Sequence, residues 1–231
     1  MSRSFSIGVT VLTGCSSQNN DQAAQPSASE SSQTETGSDL LAQIQEKGEI
    51  VIAMEGTWAP WTYHDENDEL VGYDVEVGKA IAEKLGVTAT FVEGEWDGLL
   101  AGLDAGRYDI MVNGVGITPD RQEKYDFTTP YAYNRTAVIV RGDYNEIASM
   151  EDLNGKNTAN TISSTYAEQA EAYGATVTGV DDLNQTIELL LAGRIDATLN
   201  AEVVFADYQN AHPEANIKIA AYSDDVEQVA I

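Results

Sequence analysis

The stretch NGVGITPDR, Asn113 to Arg121, followed by KYDF from Lys124 to Phe127, decides how the chain is read. Before it, Tyr108 to Val112 ends in apolar residues, which predicts a short buried strand. Gly114 and Gly116 carry no Cβ, so a ligand can approach their backbone closely. Thr118, Pro119 and Asp120 predict a helix start, with Thr118 as cap and Pro119 at the first helical position. Arg121 then falls in the first turn. Backbone N–H groups, a positive helix end and a guanidinium would converge on one spot, an arrangement suited to a small carboxylate.

Outward from this stretch, strand and helix alternate. Glu49 to Met54 reads as a strand, and Asp74 to Leu85 as a helix whose stripe is Val75, Val77, Ile81 and Leu85, stopped by Gly86. Val87 to Val92 is a strand, Trp96 to Leu103 a helix, and Asp109 to Val112 a strand. Thr136 to Val140 follows as an apolar strand. A second unit repeats the pattern. It has a polar strand over Lys156 to Asn160 and a helix capped by Ser163-Ser164-Thr165. A helix over Asp181 to Leu191 and strands over Ile195 to Leu199, Ile217 to Ala220 and Val226 to Ile231 complete it. The alternation predicts an α/β fold with a mostly parallel sheet in two similar units.

Composition narrows function. The 231-residue chain has a formal charge of −26 and only 12 Lys and Arg, which argues against nucleic acid and anionic membrane surfaces as partners. Its hydrophobic content of 42% is that of a folded chain. Cys15 is the sole cysteine and His64 and His212 the sole histidines, so no internal disulfide or cysteine-based metal site can form. No metal and no cofactor are expected.

The first residues are also patterned. Arg3 precedes a short apolar run from Phe5 to Leu12, and Leu12-Thr13-Gly14-Cys15 follows. This resembles a bacterial lipobox, so residues 1–15 are expected to be a lipoprotein signal peptide with Cys15 as the lipidated residue. Residues 16–38, rich in Ser, Gln, Asn, Ala and Thr, read as a flexible linker with a reach on the order of 27 Å.

Five blocks then point to one family. They are GTWAPW (Gly56 to Trp61), ELVGYDVEVGKAIAEKLG (Glu69 to Gly86), EWDGLLAGLDAGRYDIMVNGVGITPDR (Glu95 to Arg121), KYDFTTPY (Lys124 to Tyr131) and AGRIDATLN (Ala192 to Asn200). In this order they resemble the extracellular solute-binding proteins of polar amino-acid ABC importers (family 3). The run VNGVGITPDRQEKYDF with Trp96-Asp97-Gly98 is most similar to the cystine-binding branch.

The resemblance implies a two-lobed periplasmic-binding-protein-like fold (type II) that closes around its ligand by a hinge motion. It places lobe 1 at 39–137, lobe 2 at 138–225, and the start of a return strand at 226–231. In that family the chain then completes the first lobe, so an incomplete first lobe and a C-terminally truncated chain are expected. The implied protein is a lipid-anchored monomer on the extracellular face of the membrane, or periplasmic. Its partners would be an amino acid, cystine favoured, and permease subunits, with no membrane contact beyond the anchor.

Residue by residue, the resemblance gives Arg121 to the ligand α-carboxylate, with Asn113, Gly114 and Gly116 as backbone contacts. Trp58 and Trp96 would sandwich the side chain, an aromatic face suiting apolar stems and cations alike. Trp61 is assigned to the core. Glu55 would meet a polar side chain or the amine, and Ser164 and Thr165 would face the carboxylate from a helix start. Many relatives place an Asp for the ammonium where this chain has Ala201. Glu202 and Glu55 are the two substitutes. No enzyme is expected, although a dehydratase-like use of Glu55 as an acid, or a sensor role, remain alternatives.

Overall fold

A computed structural model describes residues 39–231. The signal-peptide, lipobox and linker readings over 1–38, Cys15 included, lie outside the described residues.

The described residues begin with helix α1 (Leu40–Lys47), whose cap is Asp39, accepting from the Leu41 N–H. Strand β1 (Glu49–Met54) follows, then three short strands, β2 (Thr57–Trp58), β3 (Thr62–His64) and β4 (Leu70–Val71). Next come α2 (Tyr73–Leu85), β5 (Thr88–Glu93), α3 (Trp96–Asp104), β6 (Ile110–Met111), β7 (Val115–Gly116) and the one-turn α4 (Pro119–Gln122). The long strand β8 (Ala132–Arg141) leads to a 3-10 turn at Glu151–Leu153 and to β9 (Asn157–Asn160). Then come α5 (Thr165–Ala172), β10 (Thr176–Gly179), α6 (Leu183–Leu191), β11 (Thr198–Ala201), α7 (Glu202–Ala211) and β12 (Ile217–Ala230).

Period-2 alternation along β1 builds the first core. Ile50, Ile52 and Met54 face one side, where Val75 and Ala82 of α2 pack with Val112. Ala53 faces the other side, against Trp96 and Leu99 of α3 and Met111. β1 is central in the order β5-β1-β6, parallel to both neighbours. The second unit pairs β9 with β10 in parallel and touches the β11 segment through a Thr158–Ala197 bridge. Ile187 and Leu190 of α6 and Phe205 of α7 cover it.

The units are joined by β8 and β12, which pair antiparallel along most of their length. In the order β11-β8-β12-β7, β11 belongs to the second unit and β7 to the first. This sheet corrects two readings. It is antiparallel throughout, whereas the alternating pattern predicted mostly parallel pairing. It also merges the strands read separately over 217–220 and 226–231, because register shifts at Ile219/Ala221 and Tyr222/Val226 absorb the polar Ser223 to Asp225. β8 starts earlier than the strand read from Thr136 because the buried Asn134 also faces inward. The boundaries read at 137/138 and 225/226 both fall inside these two strands.

Candidate functional site

The loop around Gly114 is held from behind. Asp74, fully buried on the first turn of α2, accepts the Gly114 N–H through Oδ2 (2.6 Å) and the Tyr131 hydroxyl through Oδ1 (2.7 Å). Burial pushes the Asp74 carboxyl up to about 6. Gly114 has φ +55, and an added Cβ would lie 2.5 Å from Trp58 Cζ3, so the Trp58 ring can lie against its backbone only with glycine there. Asn113 does not line the cavity. Its Oδ1 accepts the Glu55 N–H (2.8 Å) and its Nδ2 donates to Glu55 Oε2 (2.7 Å), so it positions Glu55.

Thr118 caps α4 by accepting the Arg121 N–H, and Pro119 takes the first helical position. The helix is a single turn, so what reaches the cavity is the Arg121 side chain and not an extended helix end. Arg121 is 9% exposed. Nη1 donates to Gly116 O (2.9 Å), Nη2 donates to Ser163 O (3.0 Å), and the guanidinium lies 5.2 Å from the Trp96 ring centroid. Burial lowers its pKa, while Glu168 and Glu227 act the other way. A guanidinium has five donors, so two carbonyls leave capacity for an anion.

Opposite stand residues of the second unit. Ser164 caps α5, accepting the Ala167 N–H, and Thr165 Oγ1 donates to Glu227 Oε1 (2.7 Å). The Trp58 indole N–H donates to Asn200 Oδ1 (3.1 Å) across the cleft, and the Ser163 hydroxyl donates to Asp97. Together with Arg121 to Ser163, these contacts hold the two units closed over the cavity.

Trp58, Trp96, Gly114, Gly116, Arg121 and Glu55, with Ser164 and Thr165, all line one cavity. Besides Asn113, two residues stand apart. Glu202 lies outside, paired with Arg135 (Nη2 to Oε2, 3.1 Å) with both side chains 42% exposed, because the first residue of α7 turns toward β8. Ala201 is fully buried and also off the cavity wall. Trp61 is buried behind the site, stacked on Trp58 at 5.7 Å.

Sequence reasoning missed Asn160, Asp182, Thr186 and Asn200, which line the same cavity. A signal was available for Asn160. It ends a parallel strand, and α/β folds bind ligands beyond the carboxyl ends of such strands. The Glu55 carboxyl is pushed up to about 7, chiefly by burial, with Asn113 opposing and the charges of Asp182 and Asp97 adding. Among the described residues, no group of three or more His, Cys, Asp and Glu could hold a metal ion, and no helix is long and apolar enough to cross a membrane. His64, paired with Glu93, and His212 are both away from the cavity.

Two α/β lobes joined by a long strand pair, with a polar cleft between them, define a two-lobed solute-binding fold. Residues 50–192 match the family model for bacterial extracellular solute-binding proteins, family 3. The chain is 39% identical over 182 residues (79% of this chain, 71% of the relative) to a probable amino-acid ABC transporter-binding protein of Haemophilus influenzae. It is 37% identical over 215 residues (93% and 77%) to the L-cystine-binding protein TcyA of Bacillus subtilis. Among solved structures, the L-cystine solute receptor of Neisseria gonorrhoeae in its unliganded open conformation is 42% identical, with a TM-score of 0.52 over 83% of this chain and 82% of that one. The chain belongs to the bacterial extracellular solute-binding proteins, family 3.

Proposed function

We propose that the protein is the substrate-binding component of an amino-acid ABC importer, taking L-cystine or a related polar amino acid between its lobes. One observation carries this reading. A buried guanidinium, Arg121, faces a cavity walled by Trp58 and Trp96, and Glu55 lines that same cavity. Arg121 would take the α-carboxylate through charge-assisted bonds worth roughly 1.5–3 kcal/mol each. Gly114 and Gly116 would let the ligand lie against the backbone, the indoles would cover its side chain, and Ser164 and Thr165 would close from the second lobe. The lobes would be 39–137 and 138–225, with residues 226–231 returning toward the first. Cys15 would carry a lipid after removal of 1–15, and 16–38 would tether a monomer to the outer face of the membrane beside its permease.

A calorimetric screen of L-cystine and the twenty standard amino acids tests this. One ligand, or a narrow set, should bind with micromolar or tighter affinity. Absence of any binding would reject the proposal. A second reading is favoured by Glu55 alone, since a carboxyl near pKa 7 can act as a general acid at neutral pH. NMR detection of a product from the bound ligand would establish that reading in place of simple binding.

Glu55 also gives a pH prediction. If its carboxylate meets the ligand's ammonium, it must be ionised in the complex. Below about 7 the empty site holds a proton that binding expels, so affinity should fall as pH drops from 8 to 6. The drop should approach tenfold per pH unit below about 7. Calorimetry at pH 6, 7 and 8 reads it directly, and a flat profile would remove Glu55 from the ammonium.

A further inference from the structure

The two joining strands grip the second lobe at one point. Glu227 on β12 stands directly opposite Asn134 on β8. Their side chains reach two neighbouring residues in the first turn of α5. Glu227 Oε1 accepts the Thr165 hydroxyl (2.7 Å), and Asn134 Nδ2 donates to the Tyr166 hydroxyl (3.1 Å). Asn134, Thr165 and Tyr166 are all buried. Glu227 also leans on the first lobe. A Cβ added to Gly116 would collide with Glu227 Oε1, and Gly116 O holds the Arg121 guanidinium. Burial pushes the Glu227 carboxyl up, while Thr165, Arg121 and Asn134 favour its charged form. One side chain on a joining strand thus meets both lobes. It does so from outside the ligand cavity: Thr165, Tyr166 and Gly116 line that cavity, and Glu227 does not.

A threonine hydroxyl has one proton to give. Thr165 spends it on Glu227, so the hydroxyl is not a donor to a ligand carboxylate. What Thr165 can offer is the start of α5, where backbone N–H groups lack partners within the helix. The placement of that turn therefore matters more than the hydroxyl itself. We propose that Glu227 is a positioning residue of the binding site: it holds the first turn of α5 over the cleft through Thr165, and so governs how long the closed lobes keep their ligand. The assignment rests on the amino-acid-binding reading above. Opening the cleft carries α5 away from Gly116, and a bond anchored between them resists that motion. Losing it speeds release more than it slows entry.

Stopped-flow tryptophan fluorescence tests this, with Trp58 and Trp96 of the cavity wall as reporters. The probe is L-cystine, or the standard amino acid that the screen selects in its place. Glu227→Ala should raise the dissociation rate by about tenfold and leave the association rate within about twofold. Glu227→Gln keeps an oxygen acceptor at the same reach and should stay within about threefold of the parent on both rates. Thr165→Val removes the other half of the bond with little change of shape and should release the ligand about as fast as Glu227→Ala. The double variant should release it no faster than the faster single one, because both changes break the same bond. A parent-like dissociation rate in Glu227→Ala, an equally fast Glu227→Gln, or multiplied effects in the double variant would each overturn the positioning role and leave the functional reading standing. A parent that binds none of these amino acids overturns the functional reading, and the positioning role with it.

Discussion

Arg121→Ala should weaken binding of the favoured amino acid by about 2–5 kcal/mol, roughly thirtyfold to several thousandfold in Kd. The size follows from burial. At 9% exposure the guanidinium has left bulk water, so a carboxylate brought against it is exchanged for little solvent. Removing the side chain leaves that carboxylate desolvated and unpaired. It also deletes the Nη2 bond to Ser163 O, one of the contacts that bridge the lobes, and uncovers the Trp96 face. Arg121→Lys should fall between the two. An ammonium keeps the charge but cannot serve Gly116 O, Ser163 O and a carboxylate in one planar fork. Titration calorimetry on both variants, with melting temperatures as a folding control, measures this. Parent-like affinity in Arg121→Ala would remove Arg121 from the site.

The elements best read from sequence were those whose burial is periodic. The α2 stripe is an example, with Val75 fully buried and Val77, Ile81 and Leu85 packed partly against the same core. Strand direction is not written in an apolar run, so the antiparallel order β11-β8-β12-β7 could not be read from patterning. Buried polar residues hide elements for the same reason. Asn134 faces inward on β8, yet it falls outside the strand read from Thr136 to Val140. At the cavity, residues whose type is costly to bury or unusually permissive were found: Arg121, Glu55, the two indoles, Gly114 and Gly116. Asp182 and Asn160 were missed because each has an adequate local explanation, one as a helix cap and the other as a strand end. Glu202 shows the reverse error. Its charge and its place beside Ala201 suggested the cleft, but one residue along a helix turns a side chain by about 100 degrees, and here it meets Arg135.

Gly72→Ala should cost about 3 kcal/mol of stability, a fall in Tm of about 6–12 °C for a chain of this size. Gly72 precedes α2 with φ 131 and ψ 171, a region that side chains rarely adopt. An added Cβ would stand 2.2 Å from Trp61 O and 2.6 Å from Trp61 C, both backbone atoms that cannot rotate away. Those carbonyls have a second duty. As the cap of α2, Gly72 offers no side-chain acceptor, and the Tyr73 and Asp74 N–H groups donate instead to Pro60 O and Trp61 O, each at 3.0 Å. Relieving the clash therefore breaks the bonds that dock the 58–61 turn onto the helix. Trp58 rides on that turn, and Asp74 on the same first turn of α2 holds the Gly114 N–H, so the damage reaches the cavity. Ligand affinity should fall along with Tm. Gly86→Ala is the matched control: φ is +72, but nothing lies within 4 Å of its added Cβ. It should cost about 1 kcal/mol, with ligand affinity unchanged. Equal Tm shifts in the two variants would mean that backbone preference alone, and not the docked 58–61 turn, sets the requirement for glycine at position 72.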